Sequence, residues 1–403
     1  MDIRSDGIIS RSHLVSAGEA LRRAQELAPR ARAEWVPLAG LAGRRLAAPL
    51  ATRLDLPSGH CSAMDGWAVH AAGLFGPLRV VGESAAGRPF APGLSSGEAC
   101  RISTGALLPD GADAVVRHED GHEEGGRLVV AVRPRPWAHV RRRGEDLRCG
   151  QMALDAGVAV AAHEVAVVAA AGHAGAFCRR RLRIALLTTG DELVTPGGMM
   201  PPNAVIESNL VGLVAQAEAA GAIVCASAHA PDDRTATLTT LSALLREGLE
   251  AVPDILVTVG GVSVGAHDHV GPALEALGAR WALRGVAMRP GHPVGVAVRG
   301  STVVLALPGN PAAAAVCFHL VGRALLGVRE DWSHSAPLLA PVPRHERATV
   351  FVRCTEEAGG LVPLEHQGSA QLSSLAGARV LAWIEPGTGV APPGHPVLAS
   401  RMP

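Results

Sequence analysis

"PDILVTVGGVSVGAHDHV", residues 253–270, sets a run of apolar residues against a turn that cannot be core. Ile255 to Val259 read as a strand buried on both faces, the habit of parallel sheets. Glycines, Ser263, Asp268 and two histidines follow where that strand must end. In sheets of this kind ligands sit beyond the carboxyl ends of the strands. The fold therefore turns on whether the flanking segments repeat the pattern.

They do. "RIALLTTGDEL" (183–193) reads as a first strand, and Leu210, Leu213, Val214 and Ala217 then share a helical face that closes at Gly221. "AIVCASAHAPDDR" (222–234) is a second strand, and Leu238, Leu241, Leu245 and Leu249 mark the helix after it. "GVAVRG" and "STVVLAL" (295–307) pair as strands, and Asn310 with Pro311 opens a helix whose apolar stripe runs from Ala313 to Ala324. Alternation of this kind predicts a three-layer α/β domain over 179–330, its sheet covered on both faces.

Outside that domain the texture changes. Ser16 and Glu19 have the spacing of a capping box, so 15–28 is expected to be a helix. From residue 67 short strands alternate with Gly and Pro turns, which predicts a β-rich lid module over 51–145. It interrupts a discontinuous helical linker domain, 1–50 with 146–178, in which "HEVAVVAAAG" (163–172) is helical up to Gly172. Residues 331–403 have no helical pattern and predict a small β-barrel-like domain.

Composition narrows the function. Basic and acidic residues number 37 each, and every basic one is arginine. A neutral chain argues against general nucleic-acid binding. Seven scattered cysteines with no C-x-x-C pair argue against a zinc site or a disulfide framework, and for a reducing cytoplasm. The amino terminus has no apolar signal core, and the longest apolar run is broken by His163 and Glu164, so no membrane span is expected.

Three strand ends carry acids: Asp191 and Glu192, Asp232 and Asp233, and Asp268. One such acid is ordinarily solvated or caps the next helix. Three loops on one rim instead repel one another and attract a cation. Magnesium is the hard candidate, with Glu192 and Asp268 as its ligands. Gly260, Gly261, Ser263 and Gly265 offer successive backbone N–H groups, an anion nest. The loop is not a P-loop, since the chain has no lysine, and it lacks the dinucleotide fingerprint. "GVSVG" matches the nucleophile-elbow pattern, but no oxyanion motif accompanies it, so a hydrolase triad is set aside. Arg289 and His292 flank a Pro-Gly turn suited to an oxyanion. Pro308, Asn310 and Pro311 aim a helix start at the same rim.

In order along the chain these motifs resemble the molybdopterin molybdotransferase family, MoeA and the gephyrin E domain. "SAMDGWAV" (62–69), "RISTGALLPDGADAVVRHED" (101–120), "RRRGEDLRCG" (141–150), "TTGDEL" (188–193), "GGVSVGAHD" (260–268), "LPGNP" (307–311) and "HQGSAQLSSL" (366–375) carry the resemblance. It implies a four-part subunit and an elongated homodimer, with a cleft formed by the α/β domain of one subunit and the inserted β module of the other. It implies cleavage of adenylylated molybdopterin, release of AMP and insertion of molybdate into the dithiolene, supported by Mg2+. By motif position Asp65, Thr104, Asp146, Glu192, Asp232 and Asp268 are the residues important for activity, and Gly260, Gly261 and Ser263 cradle pterin or phosphate. A molybdopterin adenylyltransferase, and molybdoenzymes or their chaperones, are the implied partners.

Six positions, in four places, depart from the family pattern. K-P-G-K-P is "RPGHP" at 289–293, and His60 replaces an aspartate. "ESNL" (207–210) replaces D-[ST]-N-R, and Ala313 replaces a serine. These changes keep a second reading open, a carrier of finished cofactor without insertion activity. A third, molybdopterin adenylyltransferase, shares the α/β domain but not the extra β regions.

Overall fold

The computed structural model describes residues 14–246, 252–261, 268–328, 332 and 334–402. Its contacts divide the chain into two units, one of Met1–Ala31 with Arg181–Pro403 and one of Arg32–Arg180.

The first unit is built on a six-stranded sheet ordered Ile223–Ala230, Arg183–Thr189, Ile255–Val259, Thr302–Leu307, Gly295–Arg299, Arg280–Arg284. The first four strands are parallel and the last two antiparallel. Alternation along each strand sorts its side chains to two faces. Ile184, Leu186, Val257 and Leu305 enter one core, and Ala185, Leu187, Leu256 and Val304 the other. Helices Asn209–Ala219 and Pro311–Cys317 cover the first face, through residues such as Leu213 and Val316. The latter continues through a π turn, Phe318–Gly322, to Leu325. Helices Arg234–Leu244 and Val270–Ala276 cover the second face. Leu249, expected on the helix after the second strand, lies outside the described residues. The first parallel strand has the second on one side and the third on the other. The loops leaving the first and third strands therefore diverge, which opens a crevice at a topological switch point.

Two expectations change here. The helix Ala17–Leu27 forms, with Ser16 Oγ accepting from Glu19 N at 3.2 Å. However, Ala17, Ala20 and Ala24 pack into the core of the α/β sheet, so this helix joins the first unit and not the linker grouping of 1–50 with 146–178. The carboxyl-terminal β region is not self-contained either. Its seven-stranded sheet recruits Val15–Ser16 and Val286–Arg289, with Arg289 opposite Val350. The strand path is open, and Ser373–Gly377 forms a short helix where none was expected.

The second unit holds another six-stranded sheet, ordered Ala114–Arg117, Gly66–Val69, Glu98–Ile102, Leu78–Ser84, Arg127–Val130, Gly121–Glu124. Around it, segments distant in sequence pair two by two. Ala33–Pro37 pairs with Gly175–Arg179, and Leu50–Ala51 with Met152–Leu154. The sheet module is thus inserted between two halves that close on one another over their own core, which includes Leu41, Leu46 and Val168. No helix among the described residues is long and apolar enough to cross a membrane.

Candidate functional site

The carboxyl ends of the parallel strands open into a cavity of about 930 Å³. Each strand contributes one loop. Gly190 and Glu192 follow the first strand, Asp232 the second, Gly260, Gly261 and Asp268 the third, and Pro308, Asn310 and Pro311 the fourth. The expected rim is therefore real, and eight of the site residues named from the sequence share it. Ser263 and Gly265 lie outside the described residues.

Local chemistry separates the acids. Asp233 is a helix cap, its carboxylate accepting from Ala236 N at 2.8 Å. Asp232 is exposed and cross-linked to Asp191: Asp232 N donates to Asp191 Oδ1 at 3.1 Å, and Asp191 N faces Asp232 Oδ2 at 3.5 Å. Glu192 folds back over Gly190, where a Cβ would come within 2.5 Å of its carboxylate. Gly261 has φ +62, and a Cβ there would meet Val270 at 2.7 Å, so the third strand's loop turns where only glycine fits.

Arg289 and His292, both exposed, line a second cavity of about 470 Å³ with Gln367, Gly368 and Ser369. The two cavities share Pro293, Pro308 and Asn310, so one groove is acidic at one end and basic at the other. Asn310 stands at the N-cap position, but its side chain donates to Ser369 Oγ at 3.0 Å instead of capping the helix. Ala313 N donates to Ser369 O at 3.0 Å.

Glu192 and Asp268 both line this cavity and would be the hard oxygen donors to a cation there, while no group of three His, Cys, Asp or Glu side chains suited to a metal converges among the described residues. A site with so few protein ligands suits an ion that keeps its waters and binds substrate phosphates.

Three other residues lie in the second unit. Asp65 Oδ1 accepts from Thr104 N at 2.7 Å, and this bond, with one from the Thr104 side chain, holds the Asp65 carboxyl below the usual range. Asp146 is exposed, its backbone amide bonded to Leu56 O at 3.0 Å, and among the described residues no hydrogen bond joins it to Asp65 or Thr104.

Residues 366–372 were quoted for their resemblance but given no role. They form a wall of both cavities through Ser369, Ala370 and Leu372. The "ESNL" departure also has a physical account. Glu207 Oε1 accepts from Leu210 N at 3.1 Å, and Leu210 packs against the α/β core where the family pattern has a base.

Known proteins resemble this chain over most of its length. The model of the MoeA N-terminal region (domain I and II) matches residues 15–172, and that of a probable molybdopterin binding domain matches 185–327. A molybdopterin molybdenumtransferase of Nostoc sp. is 34% identical over 92% of this chain and 89% of its own length. The chain belongs to the molybdopterin molybdenumtransferase family. A second molybdenumtransferase, from Mycobacterium tuberculosis, is 34% identical over 91% of this chain and 94% of its own. The crystal structure of a molybdopterin biosynthesis MoeA protein from Pyrococcus horikosii superposes with a TM-score of 0.83 at 25% identity, over 96% of this chain and 99% of that one. The MoeA-like fold thus extends over both units.

Proposed function

We propose that this chain is a molybdenum transferase of molybdenum cofactor biosynthesis, inserting molybdate into adenylylated molybdopterin with release of AMP. One observation carries the reading. A cavity lined by Glu192, Asp232 and Asp268 adjoins one lined by Arg289 and His292, in a chain whose relatives carry the molybdenumtransferase name.

The substrate is a phosphoanhydride joined to a dithiolene, so the protein must position it and offset charge on the departing phosphate. Glu192 and Asp268 would hold Mg2+. When bound, the ion would supply charge neutralisation to the departing phosphate. The glycine turn at 260–261 lets the backbone come close to phosphate. Arg289 and the helix start at Asn310 would present positive charge to molybdate at the other end of the groove. Thr104 donates to Asp65 and holds its carboxyl below the usual range, and Asp65 belongs to the reacting machinery in the same reading. Asp146 is placed there on motif position alone. A homodimer, a cytoplasmic location, and exchange with an adenylyltransferase and with molybdoenzymes or their chaperones complete the proposal.

The test is reconstitution with adenylylated molybdopterin, Mg2+ and molybdate, followed by transfer of the product to an apo-molybdoenzyme. Recovery of that enzyme's activity supports the reading. Tight retention of finished cofactor with no conversion of the adenylylated form identifies a carrier instead.

A further inference from the structure

The segment in which "ESNL" replaces the family pattern holds a contact that no motif assigns. Asn209 is the first residue of the helix Asn209–Ala219, which follows the first parallel strand. Its side-chain Nδ2 donates to the carbonyl of Gly309 at 2.8 Å, across 100 residues. Gly309 lies in the loop leaving the fourth strand, and both residues line the larger cavity.

Sheet order gives this bond its meaning. The first and fourth strands are not neighbours, because the third, Ile255–Val259, runs between them. A hydrogen bond from Asn209 to Gly309 therefore spans the mouth of the third strand, where the glycine turn begins. Gly309 lies close enough to that turn that a Cβ on it would sit 3.6 Å from the Gly260 Cα. Both ends of the crossbar are themselves fixed. Glu207 Oε1 holds Leu210 N at the helix start, and Asn310 Nδ2 ties the far loop to Ser369 Oγ.

We propose that Asn209 is a positioning residue for the reaction: its amide sets the separation of the two loops that flank the third strand's turn, and so the aperture in which the anhydride is aligned. This rests on the function proposed above. An amide that only capped its helix would bond within its own turn. This one reaches the loop leaving the fourth strand, whose helix covers the same face of the sheet, so its loss acts on alignment more than on affinity. Misplacing a reacting group by a fraction of an ångström lowers turnover without removing the contacts that bind remote parts of the substrate.

The test uses the full chain with Asn209→Asp, an isostere that cannot donate, and Asn209→Ala. In AMP release from adenylylated molybdopterin with Mg2+ and molybdate, kcat is expected to fall about tenfold, the weight of one hydrogen bond, with KM within about threefold. Backbone hydrogen exchange at Gly309, Asn310, Ala312 and Ala313 is expected to quicken by a similar factor in both variants. Unchanged exchange at those amides overturns the clasp, as does an unchanged kcat or a raised KM with kcat kept. Should the alanine variant fail to fold, the aspartate isostere decides. If the wild-type chain releases no AMP, the proposed function fails, and exchange alone judges the clasp.

Discussion

Asp65 and Thr104 lie 39 residues apart and meet through a 2.7 Å hydrogen bond from the Thr104 amide to Asp65 Oδ1. Gly66–Val69 and Glu98–Ile102 are adjacent antiparallel strands, with Gly66 opposite Ile102, so the acid and the amide flank one strand pair. Two motifs that looked independent in the sequence are one local structure.

That bond has a titration consequence. The backbone N–H is the first cause of the lowered Asp65 pKa and the Thr104 hydroxyl the second. In Thr104→Ala the backbone donor stays and the hydroxyl goes, so the Asp65 pKa is expected to rise toward the ordinary carboxylate value. The sign for the intact protein follows from linkage. A depressed folded pKa contributes stability above the unfolded value, and this is lost as pH falls through the folded one. Carbon-detected titration of the Asp65 carboxyl in both proteins checks this, and equal midpoints would contradict it.

The cysteines are expected to label unevenly. Cys149 is exposed, whereas Cys61, Cys100, Cys178, Cys317 and Cys354 are buried. Burial pushes the Cys100 thiol up to about 11 and the Cys354 thiol to about 12, so little thiolate forms at neutral pH. Mass spectrometry after brief iodoacetamide treatment of the native chain should find Cys149 modified first. Prior modification of Cys100 or Cys354 would count against the fold described.

The turn that carries Arg289 and His292 depends on Gly291. Its φ is +105, and a Cβ there would lie 2.1 Å from Cys317 Sγ, which is fully buried. Gly291→Ala adds left-handed strain to overpacking and is expected to cost about 2–5 kcal/mol. Denaturant unfolding measures this. A loss below ~1 kcal/mol would mean that the turn relaxes freely.

Arg289 stands at the basic end of the groove. Arg289→Ala is expected to weaken molybdate binding about tenfold, the weight of one charge-assisted bond. Arg289→Lys should recover part of the loss, since the charge remains and the planar fork does not. Calorimetric titration with molybdate would contradict this role if the alanine variant bound as well as the wild type.

Much of the first unit was legible because its signals are local. Ile184 to Leu187 alternate between two cores within four residues, and each strand ends in a loop that announces itself by glycine, proline or acid. The rim followed from that order alone. What escaped notice was nonlocal. The helix Ala17–Leu27 has an amphipathic pattern that is silent about which sheet it covers. Val286–Arg289 drew notice only for the turn it leads into, yet it is a strand that pairs with Thr349–Glu357, some 60 residues on, and so opens the expected barrel into a shared sheet. Asn310 carries a capping signature, but the Ser369 carbonyl takes the Ala313 amide that its side chain would have capped. Asn209 keeps the asparagine of the family pattern, but its contact could not be read from that, because its partner is a backbone carbonyl that any residue would supply.

The most direct test of the whole account is AMP release from adenylylated molybdopterin by the wild-type chain and by Asp268→Asn, with Mg2+, in the presence and absence of molybdate. The account expects molybdate-dependent AMP from the wild type and, because Asp268 is assigned to the metal, a loss of about a hundredfold or more in a variant that unfolds at the same temperature. Full AMP release by Asp268→Asn would contradict the assignment of the site, and no AMP from the wild type would contradict the function.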